Sequence, residues 1–110
     1  MNILFVCSRN KKRSRTAETI FRNYPGHKIL SAGTEDNAQQ RITEKLVHWA
    51  ELIFLMEKVH KEKLLHKYGG LLQGKELIVL DIPDEYEYMD DELVAMLQDM
   101  MEGYFENESD

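Results

Sequence analysis

The chain holds a single cysteine, Cys7, so an internal disulfide framework is excluded and a reducing compartment is the expectation. No apolar run approaches the roughly 20 residues of a membrane span. The first residues lack the basic start and cleavage site of a signal peptide, which makes a cytoplasmic location without membrane partners the default expectation. The four histidines, His27, His48, His60 and His66, show no metal-ligand grouping and read as surface or packing residues. No metal site is implied by them, and the reaction read below from the chain needs neither a metal nor an organic cofactor. Positive charge is the minority sign: 14 Lys and Arg stand against 20 Asp and Glu, for a net charge of −6, which argues against broad nucleic-acid binding. Repeats, linkers and low-complexity segments are absent as well.

What is present fits one compact α/β domain over residues 1–105, since 110 residues with 43% hydrophobic and 31% charged side chains suffice for a single core. Strand and helix patterns alternate. Residues 2–7 read as a strand, 13–23 as a helix with Ala17, Ile20, Phe21 and Tyr24 on one face and Pro25-Gly26 as its stop, and 28–32 as a second strand. Residues 33–40, polar and without periodicity, read as a loop. Thr43 is the expected N-cap of a short helix through Ala50, and 52–56 is the continuous apolar run of a strand covered on both faces. Residues 58–68 read as an exposed charged helix closed by Gly69-Gly70, and 76–82 as the fourth strand. Asp90 caps a last helix with Leu93, Met96, Leu97, Met100, Met101 and Tyr104 on its core side, and 106–110 is expected to be a disordered acidic tail. Trp49 is assigned to packing beside the third strand. Four strands with interleaved helices imply a parallel sheet flanked by helices, whose site lies at the carboxyl ends of the strands.

The first strand delivers the chemistry. Cys7 and Arg13 bracket five residues in Cys7-Ser8-Arg9-Asn10-Lys11-Lys12-Arg13-Ser14, between the apolar run Ile3-Leu4-Phe5-Val6 and a helix start. A loop of this kind must hold sulfur as the nucleophilic thiolate and press a phosphate dianion against it. The backbone N–H groups of residues 8–13, backed by a helix N-terminus, can do both. Arg13 adds a planar fork for two phosphate oxygens, Ser14 a hydroxyl for the thiolate, and Asn10 a residue that tolerates positive φ. Phosphoryl transfer to sulfur is the reaction such a loop supports. A general acid must then protonate the leaving oxygen, and Asp81, Asp84, Glu85 and Glu87 compete for that role at the end of the fourth strand. Asp90, Asp91 and Glu92 are instead explained by a helix N-terminus enriched in carboxylates.

With these residues in place, the chain resembles the low-molecular-weight protein tyrosine phosphatases, whose loop reads Cys-x-Gly-Asn-x-Cys-Arg-Ser-x-x-Ala-Glu. Cys7, Asn10, Arg13, Ser14, Ala17 and Glu18 match it. Ser31-Ala32-Gly33-Thr34 is similar to the segment after the family's second strand, with weaker similarity through 41–43, 52–57 and 82–86. The resemblance implies the family's fold and a metal-independent phosphomonoester hydrolysis, with Cys7 as nucleophile, Arg13 as anion binder and Asp84 as the acid in Ile82-Pro83-Asp84-Glu85-Tyr86, where the family has Ile-Pro-Asp-Pro-Tyr. Asp81, nearer the strand end, is the runner-up. The implied substrate is a phosphoprotein, held by Ser8, Arg9, Asn10, Lys11, Lys12 and Ser14, with Tyr86 available to stack on an aryl ring. Three departures stand out. Arg9 replaces the loop Gly, Lys12 replaces the second loop Cys and so removes that family's protective disulfide, and the chain is shorter between Thr34 and Arg41.

Five cations, Arg9, Lys11, Lys12, Arg13 and Arg15, fall within seven residues. They would focus anions on the site and extend the possible substrates to nucleotide or RNA ends. Two further readings are a non-catalytic phosphate-binding module and a thiol-dependent arsenate reductase. The last needs further cysteines or an external thiol. Composition leaves the oligomeric state open.

Overall fold

The computed structural model describes residues 1–109, with side chains through Phe105. Four parallel strands, β1 (Asn2–Cys7), β2 (Lys28–Gly33), β3 (Leu52–Leu55) and β4 (Glu76–Val79), form one sheet in the order β2-β1-β3-β4. Between and after them run α1 (Arg13–Phe21), α2 (Glu44–Trp49), α3 (Lys58–Tyr68) and α4 (Asp91–Ser109). This is the α/β architecture expected from the alternation of apolar runs and amphipathic segments.

β1 is central, and its side chains alternate between two cores. Ile3, Phe5 and Cys7 join Leu52, Phe54 and Met56 under α1 and α4, which contribute Ala17, Phe21, Leu93, Leu97, Met101 and Phe105. Leu4 and Val6 face the other way, with Ile53 and Leu55, toward Val47 of α2, Leu64 of α3 and Leu72. Phe5 stacks on Phe21 and Phe54 with ring centroids 5.9 and 5.2 Å apart. Cutting either of these buried rings back to alanine would cost about 3–5 kcal/mol. Trp49 is half-buried against the second core, as its packing role required.

Two boundaries differ from expectation. β4 ends at Val79: Leu80 and Ile82 still donate to Leu55 and Met56 carbonyls at 2.8 Å, but Asp81 between them takes the left-handed φ of 57° and turns the chain out of the ladder. α3 closes at Tyr68 with Gly69 as its C-cap, as expected, and the chain runs on into a 3-10 turn over Gly69–Leu72 that buries Leu72. The turn that does reverse direction uses Gly74 at φ 81°. The expected acidic tail falls at the end of α4, which is assigned through Ser109; side chains beyond Phe105, and residue 110 itself, lie outside the described residues.

Candidate active site

The loop leaves the carboxyl end of β1 at Cys7 and enters α1 at Arg13. Its shape is set from outside. Thr34, Glu35 and Gln39 donate their amides to the carbonyls of Cys7, Ser8 and Arg9 at 3.0, 2.9 and 2.9 Å. In a trans peptide the N–H points opposite to the C=O, so the N–H groups of Ser8, Arg9 and Asn10 turn inward. The Asn10 amide shows where: it lies 3.3 Å from Cys7 Sγ. Gly33 permits this backing, since a Cβ there would come within 2.6 Å of the Ser8 carbonyl oxygen. The segment 34–41 that supplies these amides is a short loop with no helix of its own.

Cys7 is buried beneath the loop, and Ser14 Oγ lies 2.9 Å from its sulfur. Ser14 Oγ accepts from Asn10 Nδ2 at 2.8 Å, which leaves its one proton to donate; the sulfur is nearer than the Ala32 carbonyl at 3.5 Å. The second Asn10 proton goes to Ser31 Oγ at 2.9 Å, and Ser31 donates in turn to Glu18 Oε1 at 2.5 Å. Asn10 itself is fully buried at φ 56°, the positive value that a loop this tight demands. Its side chain thus serves as the internal frame of the loop.

Arg13 is 2% exposed. One of its terminal nitrogens, Nη1, donates to Glu57 Oε2 and to the Ile82 carbonyl, both at 2.8 Å. Those bonds leave the Nε and Nη2 edge as the fork for an oxyanion. Asp84 Oδ1 stands 3.9 Å from Nε, and Asp84 joins Cys7, Ser8, Arg9, Lys11, Lys12 and Arg13 around a single cavity. Asp81 lines a neighbouring cavity instead, with Glu57, Lys58, Val59 and Pro83. Lys12 pairs with Glu87 across the mouth at 3.2 Å. No side chain caps the first turn of α1, so its amides remain available to an anion.

Of the residues expected at the site, Asn10 and Ser14 lie beneath the cavity and Tyr86 does not line it. Tyr86 is half-buried against the core under α4, and the Tyr88 hydroxyl is held by Thr19 at 2.9 Å. His60 corrects the reading of the histidines as free of any site. It is fully buried and bonded to Ser8 Oγ through Nε2 at 2.9 Å. Burial first, then the neighbouring Arg13 guanidinium, pushes its pKa down to about 4. Glu57 went unassigned in the sequence, although Glu57 and His60 form the reciprocal cap of α3, each side chain accepting from the other's backbone N–H. Among the described residues no group of three or more His, Cys, Asp or Glu is arranged to hold a metal.

A cysteine under an amide-lined loop, an arginine fork and a carboxylate at one cavity fit a thiol phosphatase, and residues 2–51 match the family model of the low molecular weight phosphotyrosine protein phosphatases. The part of the chain from β1 through α2 is thus similar to that family. Solved structures share the fold. One is the tyrosine phosphatase Wzb from Escherichia coli K30 in complex with phosphate, with TM-score 0.80 and 21% identity over 96% of this chain and 96% of that one. Another is the YwlE arginine phosphatase from Geobacillus stearothermophilus, with TM-score 0.77 and 20% identity over 96% and 94%. No curated protein matches the chain in sequence. No helix among the described residues is long and apolar enough to cross a membrane.

Proposed function

We propose that the chain hydrolyses phosphomonoesters of proteins, phosphotyrosine foremost, through a cysteinyl-phosphate intermediate. Cys7 attacks phosphorus in line, forming the S–P bond as the P–O bond to the leaving group breaks. The Nε–Nη2 edge of Arg13 and the loop amides hold the equatorial oxygens, and Asp84 gives its proton to the leaving oxygen. The Asp84 carboxylate then takes a proton from water, whose oxygen attacks phosphorus and releases the sulfur, so one difficult displacement becomes two easier ones. The observation that carries this reading is the shared cavity of Cys7, Arg13 and Asp84, with the sulfur held between Ser14 Oγ and the Asn10 amide. A lone working thiol without a disulfide partner suits a reducing compartment, which supports a cytoplasmic location.

The likeness to an arginine phosphatase raises phosphoarginine as a second substrate. Arg9, Lys11 and Lys12 at the cavity favour the ester, because a departing guanidinium is itself a cation and like charges repel. The test pairs the native chain with Cys7→Ser on aryl phosphates, phosphotyrosine peptide and phosphoarginine. Hydrolysis of the two esters by the native chain, abolished in Cys7→Ser while vanadate still binds, is the expected result. Turnover surviving in Cys7→Ser would exclude sulfur as nucleophile, and phosphate binding without turnover of any substrate would leave a phosphate-reading module.

A further inference from the structure

The hydrogen bonds around Ser8 have a defined direction. The Glu57 amide donates to His60 Nδ1 at 3.0 Å, so that nitrogen presents its lone pair and the proton of the neutral ring sits on Nε2. Nε2 is 2.9 Å from Ser8 Oγ and therefore donates to it. The ring cannot turn over without leaving the Glu57 amide unpaired, and it is fully buried. Ser8 Oγ is thus an acceptor toward His60, and its own proton must point elsewhere. It forms no other hydrogen bond among the described residues. Ser8 is half-buried and lines the cavity beside Cys7 and Arg13.

We propose that Ser8 is a further substrate-contacting donor of this site, its hydroxyl proton aimed at a phosphoryl oxygen by the neutral imidazole of His60, which acts as a positioning residue. The inference rests on the reading of the loop as an oxyanion cradle with Cys7 as nucleophile. It goes beyond that reading, which uses only the backbone at position 8. The hydroxyl stays protonated throughout, and no bond to Ser8 forms or breaks. Its contribution is one more preorganised hydrogen bond to an equatorial oxygen as charge gathers there in the transition state. The device is economical with charge. A protonated histidine could not accept from the Glu57 amide, and it would place a second buried cation close to Arg13.

The test combines Ser8→Ala, Ser8→Thr and His60→Leu, singly and with His60→Leu in the Ser8→Ala background. The readouts are kcat, KM and the inhibition constant of vanadate, with thermal midpoints as a folding control. Ser8→Ala is expected to lower kcat and vanadate affinity about ten- to a hundredfold with little change in midpoint. Ser8→Thr, which keeps the hydroxyl, should recover most of the loss. His60→Leu should cost a similar factor alone and almost nothing further once Ser8 is Ala, because the two act as one unit. Native-like kcat and vanadate affinity in Ser8→Ala, or a His60→Leu effect of equal size in both backgrounds, would overturn the proposal. If His60→Leu does not fold, the Ala and Thr variants of Ser8 decide alone. Loss of turnover in Cys7→Ser beside a fully active Ser8→Ala would sink this inference and leave the sulfur mechanism intact, whereas turnover surviving in Cys7→Ser would remove the foundation of both.

Discussion

Arg13 Nη1 and Glu57 Oε2 meet at 2.8 Å, joining the first residue of α1 to the N-cap of α3 across the top of the sheet. The arginine is buried and the glutamate side chain is 38% exposed, so the carboxylate carries much of the burden of keeping a cation out of water. Glu57→Gln retains an acceptor for the cap of α3 but removes the charge. The expected effect is a loss of about 1–2 kcal/mol in denaturant stability, lessened by the solvent that already reaches Glu57. A tenfold or greater fall in kcat/KM should accompany it as the fork loses its fixed orientation. Unchanged stability and activity together would show that the Ile82 carbonyl alone holds Arg13.

Asp84 stands in the Cys7 cavity and Asp81 outside it, which separates two carboxylates that lie three residues apart in sequence. Asp84→Asn should slow poor leaving groups such as phenyl phosphate far more than an activated nitrophenyl ester, by roughly a hundredfold against a few-fold, because only the poor ones need the proton. Asp81→Asn should leave both near native rates. An equal loss on both esters in Asp84→Asn, or a leaving-group effect in Asp81→Asn, would move the acid elsewhere.

Much of this arrangement was legible from the chain because local and global preferences agree. Ile3-Leu4-Phe5-Val6 is apolar at every position, which suits a strand covered on both faces, and the polar stretch from Ser8 to Lys12 between it and a helix start reads as a loop. His60 was not legible. Its helix carries Val59 and Leu65 on exposed positions, 44% and 45% accessible, while the polar His60 is buried, so the usual pattern is inverted. The partner that justifies the burial, Ser8, lies 52 positions away in sequence. A local trace existed in Glu57 and His60, spaced three apart before a helical run, as a capping pair requires. Tyr86 went astray for another reason. Asp81 and Met89, neither of them glycine, take φ of 57° and 62° on either side of it, and left-handed turns at such residues are not announced by composition.

Arg9 and Lys11 are exposed at the cavity and form no ion pair among the described residues, unlike Lys12. They sit on a chain of net charge −6, so they are a local attraction within a repulsive field. Raising ionic strength from about 0.01 to 0.15 M shortens the screening length from roughly 30 to 8 Å. For the native chain kcat/KM on a dianionic aryl phosphate should fall several-fold over that range. In the double variant Arg9→Ala, Lys11→Ala the dependence should flatten or reverse, since the remaining field repels the substrate and salt then helps. A native slope retained by the double variant would assign the steering to Arg13 and the helix terminus alone.

His60 also makes a prediction about stability. Its ordinary pKa of 6.5 is pushed down to about 4, first by burial and next by Arg13. Lys63 acts in the same direction, while the carboxylates of Glu57 and Glu35 pull it partly back. Between those two pH values the unfolded chain binds a proton at this position that the folded chain refuses, so stability must fall as pH drops from 6.5 toward 4 and level off below. The shift sets a ceiling on the order of 3 kcal/mol. His60→Gln removes the titration, so its urea midpoint, followed from pH 7 to pH 4, should decline less steeply than that of the native chain by up to one proton. Parallel slopes in the two proteins would mean that the ring takes its proton as readily in the folded chain as in the unfolded one, at the expense of the Glu57 amide bond to Nδ1.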